Sequence, residues 1–126
     1  LHCPERFAAA ASLSGALSPE HLLEIAPGLA PEYEWIFGDM KQFAGSFNDL
    51  FAQAERCVRE KVSLPQLFLT CGTEDGLYSD TVHFGDHLRK LGIPFTYDEC
   101  PGVHDWGLWD RKIQQVLQWL PLNKPN

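Results

Sequence analysis

The sequence predicts an α/β fold built on a parallel sheet, and three features carry that prediction. Short runs at residues 7–13, 66–71 and 95–100 have the length and composition of strands. Between and after them, apolar residues recur at helical spacing. Glycine and proline punctuate the joins. Strands that alternate with helices imply parallel pairing through right-handed crossovers, with helices lying on the sheet faces. With 126 residues, 44% hydrophobic and 21% charged, the chain has the balance of one soluble globular domain. A chain of that length buries about two-thirds of its unfolded surface, so a real core is within reach.

Each element has its own local reason. Residues 7–13 are small and apolar, as suits a strand covered on both faces, and Ser14-Gly15 marks the end. Residues 17–45 are predicted to be irregular, because Pro19, Pro27, Pro31 and three glycines interrupt short pieces such as 19–25. Trp35, Ile36 and Phe37 in this stretch are candidates for the floor of a substrate pocket, although packing over the core is the commoner role of such side chains. Ser46 is expected to cap a helix whose stripe is Phe47, Leu50, Phe51, Ala54, Cys57 and Val58. The strand 66–71 breaks at Gly72, and a helix over about 79–91 turns Phe84, Leu88 and Leu91 inward. Gly92 stands where a left-handed C-cap is wanted. Pro94 opens the third strand and Pro101-Gly102 ends it. The last helix begins near Asp105 and lays Trp106, Trp109, Ile113, Val116, Leu117 and Leu120 on a hydrophobic surface until Pro121. The count is about three strands and three to four helices.

Charge and composition exclude several function classes. The net charge is −7, and the ten Lys and Arg are scattered, so the phosphate backbone of a nucleic acid finds no complementary stripe. No run approaches the roughly 18 apolar residues that span a bilayer, so no membrane partner is expected. Residues 1–5 lack the layout of a signal peptide. Cys3, Cys57, Cys71 and Cys100 are widely separated, which reads as buried free thiols in a reducing, cytoplasmic setting. Their even number also permits two disulfides in a secreted protein. No cofactor is implied.

In open parallel sheets, reactive groups collect beyond the carboxyl ends of the strands. That rule singles out Gly72-Thr73-Glu74-Asp75-Gly76 and Gly102-Val103-His104-Asp105-Trp106. His104 is the candidate general base, since an imidazole can take up and return a proton near neutrality, and Asp75 on the neighbouring turn can orient it. Glu74 and Asp105 compete for that orienting role, with Asp105 better suited to capping the last helix. On spacing alone, solvated carboxylates and a satisfied turn histidine explain these residues as well. His83 and His87 could share a metal, but no third ligand is apparent and a solvated polar helix face explains them more simply. Cys71 has no cationic neighbour in sequence to activate it.

Pro4-Glu5-Arg6-Phe7 running into residues 8–15, Cys71-Gly72-Thr73-Glu74-Asp75 with Leu77-Tyr78, and Gly102-Val103-His104-Asp105-Trp106 with Trp109 carry a family resemblance. Together with Trp109-Asp110 and Trp119-Leu120-Pro121, they resemble the α/β-hydrolase family that includes esterase D, tributyrin esterases and feruloyl or acetyl-xylan esterases. The likeness extends over nearly the whole chain. It implies that Asp75 is the acid and His104 the base of a catalytic triad, with Trp106 joining Trp35, Ile36 and Phe37 as candidate substrate walls. In that family the nucleophile occupies a G-x-S-x-G elbow upstream of the segment similar to Pro4–Arg6, and no serine here has glycine both two before and two after it. Residues 1–126 are therefore expected to form the C-terminal part of a single α/β-hydrolase domain, without the nucleophile-bearing N-terminal half and inactive alone. The partners this implies are a small ester or thioester, that N-terminal half, and a second copy of the chain at the unpaired edge of strand 7–13.

Overall fold

A computed structural model describes residues 1–122. Three parallel strands, β1 (Ala9–Leu13), β2 (Gln66–Gly72) and β3 (Thr96–Cys100), form one sheet in the order β1-β2-β3. β2 lies between the others, and all of it beyond Gln66 is buried, which explains its near-continuous apolar sequence. In the register, Gly72 of β2 is level with Cys100 of β3. The turns that follow these two strands therefore leave the sheet side by side.

Among the described residues five helices accompany the sheet: α1 (Pro19–Ile25), α2 (Ala30–Phe37), α3 (Leu50–Arg59), α4 (Tyr78–Lys90) and α5 (Trp106–Trp119). Residues 17–45 are thus helical over much of their length, contrary to the irregular path their prolines suggest, and the helix count exceeds three to four. The prolines begin helical turns instead of breaking them. Each occupies N1 or N2 of its turn, where a missing N–H is not needed. The cap of α3 also differs from expectation: Asp49, not Ser46, accepts the N–H groups of Phe51 and Ala52 at 3.0 and 3.1 Å. Phe47 consequently lies before the helix, exposed.

One face of the sheet is covered by α3 and α4, whose Ala54, Phe84 and Leu88 meet Leu67 and Leu69 of β2. Gly92 adopts the left-handed φ of +71° that ends α4. On the other face lies α5. It points Leu108, Lys112 and Val116 inward, and Trp119 meets Phe68 edge-on at 5.3 Å. Of the stripe expected there, Trp106, Ile113 and Leu117 instead face outward. Apolar residues occur on two sides of this helix, so periodicity alone could not choose the inner one. Among the described residues no helix is long and apolar enough to cross a membrane.

Lys112 is a buried cation held by Asp98 of β3, whose carboxylate also accepts the Thr70 hydroxyl at 2.9 Å. Burial alone would lower the lysine's pKa; hydrogen bonding to Asp98 and Cys100 outweighs it and raises it. The pair pins α5 to the strand that leads to His104. Removing one partner strands the other. Because Asp98 keeps some contact with water, Lys112→Met is expected to cost about 2 kcal/mol, below the ~3–5 kcal/mol of a fully buried broken pair. Urea unfolding checks this, and Asp98→Leu added to it should recover most of the loss.

Candidate active site

Two strand ends meet so closely that their backbones touch. A Cβ on Gly72 would stand 2.1 Å from the carbonyl oxygen of Gly102, so only glycine fits there. Beyond this crossing, Thr73 N–H donates to Cys100 C=O at 3.0 Å and Glu74 N–H to Gly102 C=O at 3.1 Å. The Gly102 N–H returns a bond to Glu74 Oε2 at 2.6 Å. This bond, with one from the Thr73 hydroxyl, holds the Glu74 carboxyl below its usual range. Glu74 is thus occupied with the neighbouring backbone and does not compete for the histidine.

The Asp75 side chain is fully shielded from solvent, and His104 Nδ1 lies 3.1 and 3.0 Å from its Oδ1 and Oδ2. Leu77 N–H donates to Oδ1 at 2.8 Å. Burial pushes the Asp75 pKa up, but the Leu77 N–H, the Ser14 hydroxyl and His104 outweigh it and keep the group below the ordinary aspartate value. Asp75 is therefore an anion at neutral pH. The His104 side chain is about half exposed, 49%, and its ring stands edge-on to Trp109 at 4.7 Å. Asp105 accepts the Leu108 N–H at 2.8 Å and so caps α5 directly after the histidine.

Beside this pair runs an open groove of about 240 Å³ lined by Leu13, Trp106, Trp109, Asp110 and Ile113. Trp106 stands against Trp109 at 5.2 Å. The other three wall candidates are elsewhere: Trp35 and Ile36 of α2 point into solvent, while Phe37 stacks on Tyr33 and meets Phe43 edge-on. None of the three borders this groove. They also do not sit over the core, because α2 has no buried residue.

Ser14, read in the sequence only as a strand end, reaches this site. It is buried, holds a left-handed φ of +52°, and accepts from the Cys71 thiol at 3.6 Å. A non-glycine residue in that conformation is uncommon. Its place beyond β1 is the signal that strand-end reasoning could have used. Burial pushes the Cys71 thiol up, the reverse of what a reactive thiolate needs. All four cysteines are unpaired; Cys57 and Cys71 are buried, whereas Cys3 and Cys100 are only half-buried. His83 and His87 both meet the Phe51 ring of α3, at 5.0 and 4.8 Å; His83 is exposed, as expected of a solvated face, whereas His87 is half-buried with its Nε2 3.5 Å from Glu55. Among the described residues no group of three or more His, Cys, Asp or Glu could hold a metal.

No protein-family model matches the chain. An acetyl esterase of Caldicellulosiruptor saccharolyticus is 32% identical over 88 residues, which are 70% of this chain and 33% of that protein. A substrate-bound fluorophosphonate-binding serine hydrolase F (FphF) of Staphylococcus aureus superposes with a TM-score of 0.76 and 29% identity, over 90% of this chain and 44% of its own. The chain is similar to an esterase family of α/β hydrolases. The S-formylglutathione hydrolase FrmB of the same organism gives a TM-score of 0.76 and 28% identity with the same coverage. A ferulic acid esterase, 20% identical with a TM-score of 0.62, shares the fold. The chain spans a third of the esterase and less than half of each solved hydrolase, so what it carries is part of the α/β-hydrolase fold.

The buried Asp75 anion has a consequence for stability. Its folded pKa lies below the unfolded value of about 3.9. Its contribution is complete above that value and is lost as pH falls through the folded one. Acid titration of unfolding should therefore show stability declining below about pH 4, with Asp75→Asn reducing that dependence.

Proposed function

We propose that this chain supplies the acid and base of a serine-type ester or thioester hydrolysis, in which Asp75 orients His104 and the serine nucleophile lies on a part of the fold outside these residues. The observation that carries the reading is the asymmetry of the pair: Nδ1 of His104 faces a solvent-shielded carboxylate while about half of the histidine side chain remains exposed, 49%. A carboxylate at Nδ1 fixes the proton there and leaves Nε2 as the basic nitrogen. Nε2 then takes the serine proton as Oγ attacks the acyl carbonyl, and returns it to the departing alcohol or thiol. Asp75 stabilises the imidazolium formed in between. Water repeats the sequence on the acyl-enzyme. The relatives support an acyl carbonyl as the target, and they are two to three times as long as the stretch matched. No G-x-S-x-G segment occurs among the 126 residues. Ser14, beside Asp75, is buried and turned toward Cys71, which suits support of the acid better than attack. Four unpaired cysteines support a reducing compartment such as the cytoplasm.

The outer edge of β1 has no strand beside it among the described residues, and Trp106, Ile113 and Leu117 of the adjoining helix are exposed. An open strand edge beside apolar side chains is a surface another polypeptide can complete. In the catalytic reading that polypeptide is the nucleophile-bearing part of the fold. The same surface favours a second reading, a non-catalytic module that self-associates there.

One experiment separates the two. The 126-residue chain alone should not hydrolyse a short-chain chromogenic ester above buffer, whereas the chain joined to a nucleophile-bearing N-terminal half should turn it over. In that assembly, Asp75→Asn is expected to lower kcat by about 10⁴-fold with little change in KM. A folded assembly without turnover overturns the hydrolase reading; turnover by the chain alone overturns the division of labour. Self-association by light scattering that the added half does not relieve favours the second reading.

A further inference from the structure

Residues 101–105 contain no buried side chain, so beyond the Gly72–Gly102 backbone contact and the edge of Trp109, packing does not fix the turn that presents His104. Hydrogen bonds to the neighbouring turn do. Thr73 N–H reaches Cys100 C=O and Glu74 N–H reaches Gly102 C=O, both from the backbone and therefore independent of side-chain identity. The remaining bond comes from a side chain. Glu74 Oε2 accepts the Gly102 N–H at 2.6 Å and is itself steadied by the Thr73 hydroxyl at 2.8 Å.

We infer that Glu74 is a positioning residue for His104: its carboxylate clamps Gly102 so that the histidine two residues on is held against Asp75. Both polar groups of Gly102 are taken by this one residue, the C=O by the Glu74 N–H and the N–H by the Glu74 carboxylate. Glu74 directly precedes Asp75, and Gly102 is two residues before His104, so the clamp fixes the spacing between the turns at the point where the acid meets the base. A charge-assisted bond is stronger than a neutral one and defines a single geometry. Its partner is a backbone N–H, which among substitutions only proline removes. The purpose assigned to the clamp rests on the hydrolase reading, whereas the clamp itself is a property of the turn.

The test uses the isotope-labelled 126-residue chain and does not depend on hydrolysis, so it can fail or succeed separately from the catalytic reading. In the unaltered chain the Gly102 amide proton should resonate downfield and follow the titration of the Glu74 carboxyl. Glu74→Gln should abolish that titration, which excludes Asp75 as its source. Glu74→Ala should lower exchange protection of the Gly102 amide about tenfold, the factor expected for one lost hydrogen bond. It should also broaden or shift the His104 Nδ1–H signal shared with Asp75 while amides of Leu67 to Thr70 keep their protection. A Gly102 amide indifferent to Glu74 ionisation in the unaltered chain overturns the inference. So does a His104 Nδ1–H signal unchanged in Glu74→Ala. If Glu74→Ala loses protection throughout β2, Glu74→Gln decides: an unchanged Gly102 amide in that variant also overturns it.

Discussion

Two backbones in van der Waals contact at the ends of adjacent parallel strands govern the rest of this molecule. Gly72 and Gly102 cross so closely that a methyl group on the first would occupy the carbonyl of the second. That contact follows from the register, which ends β2 and β3 level with each other. It sets the separation of the turns that follow, and hydrogen bonds from Thr73 and Glu74 extend the pairing beyond the sheet. A carboxylate and an imidazole, 29 residues apart in sequence, meet as a result.

The energetics of that meeting are asymmetric. Removing a carboxylate from water costs several kcal/mol unless hydrogen bonds replace the lost solvent. Asp75 receives them from Leu77 N–H, the Ser14 hydroxyl and His104, and the balance leaves it ionised. His104 stays about half exposed, its ring edge-on to Trp109, which lines the adjoining groove. An anion fixed at one nitrogen of a half-exposed imidazole is what the proposed general-base role rests on. The left-handed Ser14 belongs to the same economy: a conformation that costs a non-glycine residue is retained where its hydroxyl supports a buried charge.

Much of this architecture was legible in the sequence because local rules and tertiary demands coincide. The three strands, their parallel alternation with helices, the left-handed Gly92 and the Asp105 cap all follow from residue type and spacing. The strand-end rule brought Asp75 and His104 into consideration together. It missed Ser14, whose contribution depends on an unusual φ that no pattern announces. The prolines of residues 17–45 misled because the same ring that breaks a helix inside it favours the first turn, and sequence does not say which end is which.

By itself, then, the sequence determined the element types, the parallel sheet and the pair of turns at its carboxyl end, since each depends on periodicity and turn chemistry within a few residues. Tertiary structure alone decided which face of α5 turns inward, where Trp35 and Ile36 point, and which of two adjacent carboxylates meets the histidine. Those outcomes depend on distances between segments far apart in the chain: the exposed Glu74 spends its carboxylate on the Gly102 N–H, while the shorter, buried Asp75 meets His104.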